Sequence, residues 1–126
     1  MSAVAARALE LVGVRFRLHG RDAVHGLDCV GVVAVALARA GVLTTVPSGY
    51  SLRGGRPAEV AAMLDAVLPR GDGVGAVLLC AVGAGQLHLG IRTAGGLVHA
   101  DAGLRRVVLR PGVVPWPVIG CWRAES

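Results

Sequence analysis

Lysine is absent from this chain. All thirteen basic residues are arginine, set against eight acidic ones, for a formal charge of +5. Aromatics are scarce too: one phenylalanine, one tyrosine and two tryptophans. Nucleic-acid binding calls for a clustered basic face interleaved with stacking rings. Only Arg105 and Arg106 are adjacent, and Phe16, Tyr50, Trp116 and Trp122 are scattered, which excludes that class. The arginine bias reflects the coding sequence, and the surplus positive charge suits at most a weak attraction to an anionic polymer.

Long apolar runs are missing as well. Charges or glycines interrupt every one, so no stretch is expected to span a membrane. The first residues hold one arginine and no long apolar core, which is not a signal peptide, and the expectation is a protein cytoplasmic when made. Closely spaced cysteines are also lacking. Cys29, Cys80 and Cys121 offer no short ligand pair of the kind zinc sites use, and three thiols cannot all pair within one chain. Reduced thiols, no metal and no cofactor are expected.

What is present is a core-forming composition. Of 126 residues, 54% are hydrophobic, mostly Val, Leu and Ala, and nineteen glycines mark frequent turns. That length fits one domain, residues 1–126, able to bury roughly two thirds of its unfolded surface. Ala3 to Val12 has helical spacing and Gly13 ends it. Residues 13–27 form a loop. A second helix begins at Cys29, is apolar nearly all round from Val30 to Leu37, and stops at Gly41. Residues 44–56 form a loop carrying Tyr50. Pro57 opens a third helix through Val60, Met63, Leu64 and Val67. After Gly75 the period changes to short β-branched runs at Ala76–Val82, Gln86–Thr93, Leu97–Ala100, Leu104–Arg110 and Val118–Arg123. Helices first and strands afterwards point to an α+β fold with an antiparallel sheet.

The chain is organised around Gly26-Leu27-Asp28-Cys29-Val30-Gly31. Asp28 occupies an N-cap position, where its carboxylate can accept from free first-turn amides. The helix dipole at Cys29 favours thiolate, and adjacent backbone N–H groups can hold an oxyanion. A thiol nucleophile needs a base, and the base needs an orienting partner. The runs around His88 and His99 flank a turn at Ala94-Gly95-Gly96, so they form a hairpin that makes the two histidines neighbours. His19 and His25 fall in the loop before Cys29 and are expected to be exposed. Cys80 and Cys121 sit in apolar strands as buried, inert thiols. Trp116 and Trp122 suit a core or edge role better than a sugar-stacking surface.

Taken together, Asp28-Cys29-Val30-Gly31, His88-Leu89-Gly90-Ile91 and Val98-His99-Ala100 resemble the NlpC family of bacterial cell-wall cysteine peptidases, and most closely its phage-type members. Leu11-Val12-Gly13-Val14-Arg15-Phe16-Arg17 and Gly20-Arg21-Asp22 extend the likeness, which runs from about Ala8 to Trp122. The resemblance implies a papain-like fold with Cys29 as nucleophile, His88 as base and His99 as the group orienting it. It implies hydrolysis of amide bonds in peptidoglycan stem peptides, with Asp28 and Tyr50 contacting substrate, and a possible association with phage tail proteins in a phage-like particle. Val30 stands where many members have serine, Arg15 where proline is frequent, and Ala76 where an aspartate usually follows glycine. Two other readings remain open: a non-catalytic tail-assembly component, and a thiol amidase or acyltransferase acting on a non-wall substrate.

Overall fold

Local rules account for the helices. In the computed structural model, which describes residues 2–42, 45–46, 56–83 and 85–125, α1 spans Ala3–Leu9. Ser2 caps it, its hydroxyl accepting from Ala5 N–H at 3.0 Å. The helix stops short of Val12 because the amides of Leu11 and Val12 bond back three residues, to Ala8 and Leu9, which tightens the last turn. The 13–27 segment is more than a loop: β1 (Arg21–Asp22) and β2 (Gly26–Leu27) pair antiparallel in it.

The cysteine helix, α2, spans Cys29–Arg39 with Asp28 as its N-cap. Its C-terminus closes around Gly41 (φ 80°): Gly41 N–H donates to Ala38 and Val42 N–H to Leu37, the pairing that a left-handed glycine permits. α3 (Pro57–Asp65) starts on Pro57, whose missing N–H costs nothing in a first turn. It is tied to the sheet by Trp122 Nε1, which donates to Asp65 Oδ1 at 2.9 Å. Tyr50 lies outside the described residues.

The remaining chain forms β3 (Val77–Gly83), β4 (Gln86–Thr93), β5 (Gly96–Asp101), β6 (Arg106–Pro111) and β7 (Val118–Trp122). They make one antiparallel sheet in the order β6-β5-β4-β3-β7. Alternation along the strands gives it two apolar faces. Leu79, Leu89, Ile91, Val98 and Val107 pack with α1 and α2 in the main core, whereas Leu78, Cys80 and Leu97 form a smaller cluster with Trp116 on the other face. Burial gives α2 the nearly complete apolar surround its sequence calls for, and it rests on β4 and β5.

One register detail shapes the site. The β4–β5 ladder covers Thr93↔Gly96, Arg92↔Leu97 and Ile91↔Val98 and ends there. Both strands nonetheless run on, to Gln86 and Asp101. They part beside the N-terminus of α2.

Candidate active site

Cys29, His88 and His99 line a single cleft of about 540 Å3, together with Asp28, His19 and Trp116. The parted strands explain how the cysteine enters it. Arg92 N–H donates to Ala76 on the β3 side at 2.9 Å. Amide direction alternates along a strand, so the N–H of Leu89 aims toward β5, where the ladder no longer receives it. It acts on Cys29 instead, as one of the backbone groups that pull its thiol down. The nucleophile candidate thus lies within reach of the residue next to His88, in the cleft both line.

The two histidines meet as the hairpin requires. His88 Nε2 and His99 Nδ1 are 2.8 Å apart, with the rings nearly perpendicular. His88 Nδ1 has no hydrogen-bond partner among the described residues, which leaves it as the nitrogen free to work in the cleft. His99 is buried. Burial is the main cause that pushes His88 down to about 4, with the neighbouring His99 adding to it and Asp101 opposing it. Burial also lowers His99, against Asp101 and in concert with Arg110.

The state of the thiol corrects the sequence-based expectation of a thiolate. Burial pushes Cys29 up to about 11, and the Asp28 charge adds to the rise; backbone N–H groups of Leu89, Val30 and Cys29 itself oppose it without prevailing. A helix dipole is worth about 0.3–1 kcal/mol at ordinary sites, less than the cost of desolvating a thiolate. Both shifts favour a neutral thiol and a neutral imidazole.

Asp28 is a cap, as expected, and more besides. Its Oδ1 accepts from Gly31 N–H at 2.8 Å and from Arg21 Nη1 at 2.6 Å, and its Oδ2 accepts from His19 N–H at 2.9 Å. Arg21 is a site residue that sequence reasoning passed over; its partner lies seven residues away across a turn. Gly31 explains the last letter of the cysteine motif. A Cβ there would fall 2.1 Å from the Gly20 carbonyl oxygen, so the helix needs glycine where the 19–20 turn crosses it.

The other candidates divide. His19 is exposed on the cleft rim with a left-handed backbone (φ 62°), held by its bond to Asp28. His25 is exposed and pairs with Asp22 outside the cleft. Cys80 is buried opposite His88 across β3 and β4, while Cys121, on the edge strand β7, is only partly covered. Trp122 is a core residue. Trp116 is not: it lines the cleft. Among the described residues no group of three His, Cys, Asp or Glu is placed to hold a metal ion, and no helix is long and apolar enough to cross a membrane.

No protein-family model matches the chain, and no curated protein matches its sequence. Solved structures do. The chain is similar to the NlpC/p60 domain of the peptidoglycan hydrolase SagA, at 21% identity and a TM-score of 0.60 over 86% of each chain. It is also similar to the peptidoglycan hydrolase RipB from Mycobacterium tuberculosis, at 24% identity and a TM-score of 0.61, covering 98% of this chain and 64% of RipB. The fold is therefore the α+β, papain-like fold of NlpC/p60 domains, and the NlpC resemblance of the motifs is borne out at that level.

Proposed function

We propose that this chain is a single NlpC-type domain that acts as a cysteine peptidase on amide bonds of peptidoglycan stem peptides, without metal or cofactor. The observation that carries this reading is the 2.8 Å bond between His88 Nε2 and His99 Nδ1 in the cleft that Cys29 lines. It leaves His88 Nδ1 as the base and gives that base an orienting partner, which thiol catalysis requires. The peptidoglycan substrate is drawn from the two hydrolases of the same fold and from the motif resemblance.

Because a neutral thiol and a neutral imidazole are favoured, attack and proton transfer are coupled. The Cys29 sulfur bonds to the scissile carbonyl carbon as its proton passes to His88 Nδ1. The oxyanion forms beside the backbone N–H groups at the start of α2. His88 then gives the proton to the leaving amine, and a thioester remains. Water, deprotonated by His88, releases the acid and restores the thiol. Asp28 holds the start of α2 and offers charge to a substrate amine, with Tyr50 as a further substrate contact. Association with a phage-like particle would bring a protein made in the cytoplasm to the wall.

The test is a digest of purified peptidoglycan and defined muropeptides, with products identified by mass. New amine and acid termini are expected with the wild type and none with Cys29→Ala. Intact substrate after prolonged wild-type digestion would overturn the reading.

A further inference from the structure

Trp116 sits in the stretch between β6 and β7, outside every catalytic motif, yet its ring meets both histidines. Its centroid is 5.7 Å from His88 and 5.4 Å from His99, at interplanar angles of 78° and 86°. Edge-to-face packing at this separation is a favourable aromatic geometry. Behind it, Trp116 is seated on the cluster of Leu78, Cys80 and Leu97, and the Arg110 guanidinium lies 5.6 Å from its ring centre. The indole thus forms the third side of a three-ring stack whose other two sides are the hydrogen-bonded histidines.

We propose that Trp116 is a positioning residue: it closes over the His88–His99 hydrogen bond, keeps water from it, and so holds the His88 ring with Nδ1 free for Cys29. In water the two imidazoles would exchange each other for solvent at little cost, because a protein hydrogen bond gains little over its hydrated alternatives. Shielding removes those alternatives. It also contributes to the burial that lowers both rings. The other groups facing the pair are Asp101 on β5, Arg110 on β6, Cys80 opposite His88 on β3, and Cys29 on α2.

The kinetic part of this inference rests on the peptidase reading; the spectroscopic part does not. Trp116→Ala and Trp116→Phe are compared with the wild type by NMR titration of the imidazole nitrogens and by kinetics on a muropeptide. In Trp116→Ala the ring titrations of His88 and His99 should move up toward the ordinary imidazole value, and the shared ring proton should exchange faster with water. The value of kcat should fall about tenfold, with KM changed less than twofold and the acid limb of the pH profile moved upward. Trp116→Phe, which keeps a ring edge, should recover most of each property. Unchanged ring titration and proton exchange in a folded Trp116→Ala would overturn the proposal, as would a loss confined to KM, which would make Trp116 a substrate contact. If Trp116→Ala does not fold, Trp116→Val keeps apolar bulk without a ring and is read the same way. A wild type inactive on peptidoglycan would overturn the peptidase reading and leave the NMR result to decide this one.

Discussion

Arg21 Nη1 sits 2.6 Å from Asp28 Oδ1, the same oxygen that caps the cysteine helix through Gly31 N–H. With His19 N–H on the other oxygen, one buried carboxylate joins β1, the 19–20 turn and the start of α2. Asp28→Ala strands three donors, and the expected loss is roughly 2–3 kcal/mol in urea unfolding. Asp28→Asn keeps a capping oxygen and weakens only the charged contacts, so it should cost about 1 kcal/mol. Equal losses would deny the Arg21 pairing any weight. The same Asp28→Asn should slow cleavage of substrates with a free amine about tenfold. Acetylating that amine should cost wild type a similar factor, and the two losses should not add; full additivity would confine Asp28 to its structural role.

Cys29 should behave as a buried thiol and not as a standing thiolate. With the thiol held up at about 11, alkylation by iodoacetamide should keep accelerating as pH rises through 8 and 9. Mass mapping should still find Cys29 modified before Cys80, which is buried on the opposite side of the sheet and also held up at about 11 by burial. A rate that levels off below neutral pH would mean a pre-formed ion pair with His88.

His88→Ala removes the base and should lower kcat/KM by roughly 10²–10⁴. His99→Asn retains a polar partner for Nε2 and should keep part of the activity that His99→Ala loses. The depressed His88 value carries a stability consequence of definite sign. Between its ordinary 6.5 and about 4, the unfolded chain takes up a proton that the folded ring refuses, so the native state loses stability as pH falls through that window. The loss amounts to roughly 3 kcal/mol at most. Comparing urea midpoints of wild type and His88→Gln at pH 7 and pH 4.5 isolates it; identical pH slopes would contradict the burial of a neutral ring.

Gly31→Ala tests the crossing of α2 by the 19–20 turn. The added methyl meets the Gly20 carbonyl and not a flexible side chain, so backbone must move. Overpacking of this kind costs about 1–3 kcal/mol, and the shift should also loosen the His19–Asp28 bond and reduce activity. A variant as stable and active as wild type would show that the turn yields freely.

Much of the fold was legible because it depends on neighbours in sequence. The Asp28 cap, the stop at Gly41, Pro57 at a helix start and the Gly95-Gly96 turn each act over a few residues. So does the alternation that put His88 and His99 on one face. Tyr50 was also singled out from the sequence, and it lies outside the described residues. What the sequence by itself determined about this protein was therefore its helices and the five strands that follow them, their order, and which thiol and which histidines share one cleft, while the short β1–β2 pair within residues 13–27 escaped it. Tertiary structure alone decided how they work. The end of the β4–β5 ladder at Ile91↔Val98, beside the start of α2, is a property of how the strands pair in space. The seating of Trp116 against the histidine pair joins residues far apart in the chain. The protonation of Cys29 reversed the sequence expectation because burial, a property of the whole packed molecule, outweighs the dipole of the one helix that carries it.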